Sequence, residues 1–327
     1  MLFYFKGGLI KGIVSRIESK DYYVFPTGED KPVRCSLPGK FKKEFQLKKD
    51  KLYRMDIVTL GDNVDFEFNE DGTGVINKIE ERQNYISRKA PKPKGSSYRG
   101  ERLEQIIAAN IDKLFIVGST YKPDFNNKVI DRFIVAGESS HLNNIVIINK
   151  IDLDNENLSE KWASIYTEIG YKVILSSKVS GDGIEELKNE VIGNKNIFWG
   201  HSGVGKSSLL NSMFPGLNLE IGDISSFTDK GTHKTVTSKM IKIAFNTYVI
   251  DTPGVREIDP FGIRKEDLGY YFIEFKPFAE KCRFSSCTHY HEPGCKVVKA
   301  VENNEISELR YDSYLRILKT IEEDIIY

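Results

Sequence analysis

A glycine-rich segment that ends in a lysine and a serine, Gly200–Ser207, constrains this chain more than any other part of its sequence. The segment matches the pattern G-x-x-x-x-G-K-[ST], follows the apolar run 196–199 and precedes a helical segment, 208–211. The backbone N–H groups of such a loop surround a phosphate, and the following helix adds a favourable dipole. The sequence therefore predicts a strand–loop–helix unit that binds the phosphates of a nucleotide.

A second motif completes a site suited to a triphosphate and its magnesium ion. In the phosphate loop, Lys206 is expected to bridge the β- and γ-phosphates and Ser207 to ligate Mg²⁺. In the segment Asp251-Thr252-Pro253-Gly254, Asp251 can hold Mg²⁺ through water and the Gly254 backbone can approach a γ-phosphate. The candidate residues of the two motifs are Gly200, His201, Ser202, Gly203, Val204, Gly205, Lys206, Ser207, Ser208, Asp251 and Gly254.

The segment Asn149-Lys150-Ile151-Asp152 follows the apolar run 144–148 and indicates that the base is guanine. A carboxylate at Asp152 accepts hydrogen bonds from N1–H and the exocyclic amine of guanine. Adenine offers no such donors there, so the site discriminates by about 10⁴-fold. The stem of Lys150 is expected to cover the purine face, and Asn149 to brace the neighbouring loop.

A further apolar run, 172–175, ends in Ser176, Ser177 and Lys178, and a backbone N–H of this segment can donate to guanine O6. Both base-binding segments precede the phosphate loop, whereas in an ordinary GTPase they follow it. The sequence therefore predicts a circularly permuted GTPase domain, a rearrangement that a compact domain tolerates when its termini lie close together.

The length of 327 residues predicts two or three domains. Short alternating strands predict a β-barrel of the OB-fold type over residues 1–82, and a basic linker follows over 83–103. Apolar runs separated by helical spacers predict an α/β P-loop GTPase domain over 104–262. Residues 263–327 are predicted to form a zinc-binding helical domain.

The formal net charge of zero excludes a uniformly basic nucleic-acid binder, but the charge is uneven along the chain. Residues 82–99 carry six basic side chains and no acidic one, and their Pro, Gly and Ser residues predict a segment without regular structure. Two interpretations remain open: a solubilising linker, or a mobile cationic arm that meets phosphate backbones. No run of about 18 apolar residues predicts a membrane span, and we expect a cytoplasmic protein.

Three of the four cysteines lie close together and suggest a metal site. The spacing Cys282-x₄-Cys287-x-His289-x₅-Cys295 supplies three thiolates and one imidazole, a closed tetrahedral set for structural Zn²⁺. His291 is a competing ligand by spacing. The fourth cysteine, Cys35, is expected to be a buried apolar residue of the barrel.

The permuted motif order, the N-terminal barrel and the Cys/His cluster together resemble the RsgA family, also called YjeQ or YloQ, as does the segment Gln105–Asn110. Members of that family are bacterial GTPases that mature the small ribosomal subunit. The resemblance implies binding of GTP and GDP, the 30S subunit and 16S rRNA, one Zn²⁺ per chain with His289 as ligand, Mg²⁺ with GTP, and a monomer.

In the family, switch I carries the pattern G-x-H-T-T-T, and Gly231–Thr237 keeps its Gly, His and middle Thr but has Lys234 and Val236 instead of threonine. The resemblance implies that Thr235 ligates Mg²⁺ and that His233 positions the attacking water. A mobile surface histidine without a catalytic role is the alternative for His233.

Val255 stands where Ras-like enzymes carry the glutamine that orients water, which predicts slow intrinsic hydrolysis. Two other functions remain open from the residues alone. One is a nucleotide-gated RNA-binding scaffold in which hydrolysis is irrelevant, and the other is a signalling GTPase that acts on a protein partner.

Overall fold

The structure is a computed structural model that describes residues 8–41, 57–89, 104–217, 219, 238–251 and 262–321. The described residues form two compact units. Unit one draws on Met1–Lys113, Lys188–Phe198 and Phe214–Glu257, and unit two on Leu114–Leu187, Trp199–Met213 and Ile258–Tyr327. Each unit therefore combines segments that are far apart in the sequence.

The described residues contain thirteen strands: β1 (Ile10–Glu18), β2 (Asp21–Pro26), β3 (Val33–Ser36), β4 (Asn63–Phe68), β5 (Gly74–Ile79), β6 (Tyr85–Lys89), β7 (Glu104–Ala109), β8 (Lys113–Ser119), β9 (Asn143–Asn149), β10 (Lys172–Ser176), β11 (Lys195–Trp199), β12 (Lys239–Ala244) and β13 (Thr247–Asp251). The α-helices are α1 (Asn127–Ser139), α2 (Leu158–Ile169), α3 (Ile184–Val191), α4 (Lys206–Met213), α5 (Lys276–Ala279), α6 (Lys296–Glu302) and α7 (Glu308–Thr320). None of the helices in the described part of the chain combines the length and the apolar character that crossing a bilayer requires.

The first five strands of unit one form a closed barrel. Their order is β1-β2-β3-β5-β4, and β1 also pairs with β4, which closes the sheet on itself. Inward-facing apolar side chains alternate along the strands, as in β4, where Val64 and Phe66 lie in the barrel core. Cys35 belongs to the same core and is 1% exposed, so the prediction of a buried apolar cysteine is confirmed.

A buried ion pair fixes the chain where it leaves the barrel. Nε and Nη2 of Arg82 donate to the two carboxylate oxygens of Asp62 at 2.7 and 2.8 Å, and Asp62 is fully buried. Thr59 N also donates to Asp62, at 2.8 Å. These two hydrogen bonds connect Arg82, at the end of the predicted barrel, to the loop that precedes β4.

Strand β1 also pairs with a strand outside the barrel. Its residue Arg16 lies opposite Lys239, the first residue of β12, in an antiparallel arrangement. Strand β12 pairs antiparallel with β13, and β13 pairs in parallel with β11. The barrel strands and the strands β11–β13 of unit one are therefore hydrogen-bonded side by side.

The basic segment 82–99 differs from the sequence-based expectation. We predicted no regular structure there, yet Tyr85–Lys89 forms β6, which pairs antiparallel with β7. Ile86 is buried in this pairing, and the prolines that oppose regular structure begin only at position 91. Residues 90–103 lie outside the described residues, so the absence of regular structure there stays a prediction.

Unit two contains the strands β10, β9 and β8, side by side in that order. Strands β9 and β10 run parallel, and their register places Ser176 opposite Asn149 at the carboxyl ends. Continuous apolar side chains on these strands, such as Ile147 and Ile148, are fully buried, as expected for a parallel sheet covered on both faces.

The C-terminal part of unit two packs on α1 through an apolar cluster and a buried ion network. The apolar cluster includes Val135, Leu268, Phe272, Phe275, Tyr314 and Ile317. Within the network, Arg310 of α7 donates to Asp131 of α1 at 2.5 Å and to both oxygens of Glu274 at 2.7 and 3.2 Å. Arg310 is only 1% exposed. One buried guanidinium thus connects three separate elements of the chain.

Candidate functional site

The phosphate loop follows β11 and leads directly into α4, which begins at Lys206. Gly203 and Gly205 have φ angles of +83° and +102°, in the region that favours glycine. A Cβ atom on Gly205 would lie 2.4 Å from Nδ2 of Asn149. The glycine therefore permits both the turn of the loop and the close approach of the asparagine.

Two polar side chains at the start of α4 are largely buried. Nζ of Lys206 donates to the carbonyl oxygens of Gly200 and His201, at 2.8 and 3.0 Å. Lys206 and Ser207 are 7% and 6% exposed, whereas His201 is exposed. The lysine ammonium is thus held against the loop backbone that the sequence predicts to surround a phosphate.

Asn149 connects the carboxyl ends of two strands with the phosphate loop. Its Nδ2 donates to the carbonyl oxygen of Val204 at 2.8 Å, and its Oδ1 accepts from the Ser176 hydroxyl at 3.2 Å. Asn149 and Ser176 are both buried. Because Ser176 occupies the amide oxygen, the amide nitrogen faces the loop, and the N-K-I-D motif is hydrogen-bonded to the phosphate loop.

Lys150 adds a second link to the phosphate loop. Its backbone adopts a left-handed conformation, and its Nζ donates to Gly203 O at 2.6 Å and to the carbonyl oxygen of Lys122. The aliphatic stem of Lys150 therefore lies between the N-K-I-D motif and the loop.

Asp152 and Ser177 belong to the two segments that the sequence predicts to bind the base, and they contact each other directly. The Ser177 hydroxyl donates to Oδ1 of Asp152 at 2.5 Å and accepts from the backbone N–H of Val179 and Ser180, at 3.0 and 3.3 Å. The two accepted bonds direct the hydroxyl hydrogen towards Asp152. Lys178, which follows Ser177 in the chain, has an exposed side chain.

Asp154, two residues after the end of the N-K-I-D motif, fixes the loop that leads into α2. Its carboxylate accepts from the hydroxyl and N–H of Ser159, at 2.5 and 2.7 Å, and from the N–H groups of Leu158 and Glu156. Partial burial opposes the ionised form, but these hydrogen bonds outweigh it and lower the pKa of Asp154 to about 2.

Replacing Asp154 by alanine should therefore lower the free energy of unfolding at pH 7 by about 1 kcal/mol. The folded-state pKa is depressed, so the stabilisation is present above the unfolded pKa near 4 and disappears as the pH falls towards 2. Urea unfolding of the wild type and Asp154→Ala at pH 7 and pH 2.5 measures this difference. The exposed Glu160→Ala, on the helix that follows this loop, is the control, and an equal loss in both variants at pH 7 would contradict the role of Asp154.

Three candidate residues lie outside the described residues: His233, Thr235 and Gly254. For Asp251 the backbone is described as the last residue of β13, and nothing is described of its side chain. The roles of these four residues therefore stay predictions.

The Cys/His cluster forms a compact group of potential metal ligands. The ligand atoms of Cys282, Cys287, His289 and Cys295 all lie within 4.8 Å of one another. Nδ1 of His289 is 3.7 Å from Sγ of Cys282 and 3.5 Å from Sγ of Cys295, and those sulfurs are 3.9 Å apart. A tetrahedron with Zn–S bonds of about 2.3 Å has sulfur–sulfur edges of about 3.8 Å, so the four residues fit a tetrahedral ion.

The structure distinguishes the two candidate histidines of this segment. His289 is buried, with its ring in the cluster, whereas His291 is exposed and outside it. Burial lowers the pKa of His289, which favours the neutral imidazole that binds metal ions. The cysteine sulfurs are free of disulfide bonds. The cluster can therefore bind a metal ion through the ligand set that the family resemblance favours.

Sequence reasoning missed the residues that hold the metal-binding loop in place. The Glu292 carboxylate accepts from the N–H and hydroxyl of Thr288 at 2.8 and 2.5 Å and from Tyr290 N at 3.1 Å. The hydroxyl of Tyr311 on α7 donates to His289 O at 2.9 Å. The only available sequence signal was the spacing of Thr288 and Glu292, which is too common to indicate such a contact.

Gly269 has a related role on the other side of the metal-binding loop. A Cβ atom on this residue would lie 2.8 Å from Cδ2 and 2.9 Å from Nε2 of His289. The absence of a side chain at Gly269 therefore makes room for the imidazole ring.

Comparisons with known proteins agree with this geometry. A family model described as RsgA GTPase matches residues 79–261. A protein of Chlorobaculum parvum named small ribosomal subunit biogenesis GTPase RsgA is 38% identical over 318 residues, which cover 96% of this chain and 99% of the relative. A protein of the same name from Bacteroides fragilis is 34% identical and covers 96% and 98% of the two chains.

Two solved structures share the fold. The crystal structure of YjeQ from Thermotoga maritima superposes with a TM-score of 0.75 at 32% identity and covers 95% of this chain and 98% of its own. The structure of YloQ, described as a circularly permuted GTPase, gives a TM-score of 0.69 at 26% identity over 98% and 97% of the two chains. The predicted combination of barrel, permuted GTPase domain and C-terminal Cys/His module is confirmed by these matches.

Proposed function

The chain belongs to the RsgA family of circularly permuted GTPases and is a GTP hydrolase, and from this membership we propose that it acts in maturation of the small ribosomal subunit. In this proposal the chain binds the 30S subunit, and the subunit stimulates hydrolysis of GTP to GDP and phosphate. The relatives named above carry small ribosomal subunit biogenesis in their names.

The observation that supports the nucleotide site most strongly is the hydrogen bond from Asn149 Nδ2 to Val204 O, 2.8 Å long. It joins the motif that we assign to guanine with the loop that we assign to the phosphates. The contact between Ser177 and Asp152 joins the second base-binding segment to the same assembly. These contacts between segments that are far apart in the sequence support a single site for a guanine nucleotide.

In the proposed site each motif has a separate task. Asp152 reads the base edge, a backbone N–H of the segment 176–178 donates to O6, and the phosphate loop surrounds the phosphate chain. Lys206 bridges the β- and γ-phosphates. Ser207, Thr235 and Asp251 would hold Mg²⁺, which would supply positive charge to the phosphates.

Slow turnover of the isolated chain follows from the residue after the D-T-P-G motif. Val255 offers no hydrogen bond to water, so we assign the positioning of water to His233 in switch I, acting once the subunit has bound. The test is turnover of GTP and ATP with and without purified 30S subunit. We expect negligible ATP turnover and a rise in GTP turnover of about two orders of magnitude or more with the subunit.

His233→Ala should remove the stimulation without changing nucleotide affinity. If stimulated turnover persists in this variant while affinity is unchanged, the assignment of His233 is wrong. If wild-type turnover does not respond to the 30S subunit, the ribosomal proposal itself fails.

We also propose that the barrel and the basic arm contact 16S rRNA, through phosphates and shape more than through base sequence. Affinity for the subunit should then fall steeply with salt concentration, because phosphate contacts release counterions. RNA-independent binding to a protein, with little dependence on salt, would instead indicate a signalling GTPase. The proposal includes a monomeric, cytoplasmic protein with no membrane partner.

We assign the metal of the Cys/His cluster to Zn²⁺ in a structural role, because three thiolates and one imidazole leave no open coordination position. Elemental analysis should find about one zinc per chain, and Cys295→Ser should lose the zinc and the fixed packing of the C-terminal module. Cys35→Ala, far from the cluster in sequence and buried in the barrel, is the control that should retain the metal. Full zinc content in Cys295→Ser would contradict the assignment.

A further inference from the structure

A lysine in the turn between β8 and α1 lies next to the phosphate loop. This residue belongs to none of the sequence motifs. The carbonyl oxygen of this residue, Lys122, accepts a hydrogen bond from Nζ of Lys150. The same Nζ donates to Gly203 O at 2.6 Å. One ammonium group therefore joins the backbone of Lys122 to the backbone of the phosphate loop.

Contacts at both ends of the turn hold Lys122 at this position. Thr120 N donates to Asn149 O at 3.0 Å, and the Ser119 hydroxyl donates to Pro123 O at 2.7 Å. The Phe125 ring stacks on Trp162 with a centroid distance of 4.8 Å. The turn is thus fixed to the base-binding strand on one side and to α2 on the other.

The charge of Lys122 adds to a field that is already positive. Burial, together with the like charge of Lys122, lowers the pKa of Lys150, although Asp152 acts in the opposite direction. Lys206 places a third ammonium group on the same loop. Like charges that lie close together are unfavourable by themselves and are stabilised when an anion binds between them.

We propose that Lys122 is a further nucleotide-binding residue, whose exposed ammonium group neutralises the phosphate chain of bound GTP or GDP. The inference rests on the proposed function, because it assigns a ligand contact at the same site. Its contribution is to affinity for the phosphates and not to recognition of the base. A lysine suits this task because its flexible stem can follow the phosphates while its backbone stays fixed in the turn.

The test compares calorimetric affinities of the full-length protein for GDP, a non-hydrolysable GTP analogue and guanosine. Lys122→Gln should weaken binding of both nucleotides about fivefold, and Lys122→Arg should restore it to within about twofold. Guanosine, which has no phosphate, should bind equally well to all variants. The difference between wild type and Lys122→Gln should shrink as salt approaches about 1 M, where the Debye length is near 3 Å.

Lys161→Gln is the matched control, because Lys161 is an exposed lysine on α2 and should leave nucleotide affinity unchanged. Wild-type nucleotide affinity in Lys122→Gln would overturn the inference, as would an equal loss for guanosine, which would mean that the substitution acts through the shape of the turn. Failure of the wild type to bind GDP would instead refute the proposed function.

Discussion

Replacing Asp152 by asparagine is expected to reduce the affinity for GTP by about 10⁴-fold and to create affinity for XTP. The Ser177 hydroxyl directs its hydrogen towards Oδ1 at 2.5 Å, because two backbone N–H groups already donate to its oxygen. In the variant, the amide oxygen would take this bond and the amide nitrogen would face the base. Two donors would then oppose the N–H groups of guanine, whereas the C2 carbonyl of xanthine would accept a hydrogen bond.

Binding of fluorescent GDP and XDP analogues, and turnover of GTP and XTP, measure this exchange of specificity. Asp154→Asn is the matched control, since Asp154 lies two residues away and binds backbone N–H groups of its own loop. We expect this control to bind GDP as the wild type does. A variant Asp152→Asn that kept GTP affinity within about tenfold would contradict the assignment of Asp152 to the base edge.

The second large effect concerns Arg310, whose replacement by methionine should destabilise unit two by about 3–5 kcal/mol. Burial opposes the charge of Arg310, but Asp131 and Glu274 outweigh it and raise its pKa well above the usual value. Removal of the guanidinium would leave two carboxylates without their cation, one of them fully buried. Lost contact with the Phe272 ring, 4.6 Å from the guanidinium carbon, adds to the cost.

Tryptophan fluorescence during urea unfolding reports on this part of the molecule, because both tryptophans, Trp162 and Trp199, belong to unit two. Arg316→Met on the same helix is the control. Its partner Asp312 is exposed, so the expected change is under about 0.5 kcal/mol. Adding Asp131→Asn to Arg310→Met should recover part of the loss. Equal stability of the Arg310 and Arg316 variants would show that the network does not stabilise the unit.

The sequence predicted those features that depend on residues close together in the chain. The apolar run 172–175 and the serines after it indicated a strand with polar residues at its end, and the structure has β10 ending at Ser176. The Cys/His cluster could be predicted for the same reason, since its four residues lie within fourteen consecutive positions. Local spacing fixes such features because the peptide geometry allows few alternatives.

Contacts between distant segments could not be read from the sequence in this way. Asp131 and Arg310 are 179 positions apart, and each is an ordinary charged residue within its own helix. Similarly, no local pattern singles out Lys122, because its position beside the phosphate loop depends on a turn that Asn149 and Lys150 hold in place. Only the folded arrangement of strands and helices brings these groups together.

The pairing of Arg16 with Lys239 has a practical consequence for any attempt to shorten this protein. Removing the barrel would leave β12 as an exposed edge strand. Exposed edge strands pair with strands of other molecules. A truncated enzyme is therefore prone to aggregate even if its nucleotide pocket is intact. In the intact chain the first barrel strand pairs with β12 at Lys239 and so covers that end of the strand.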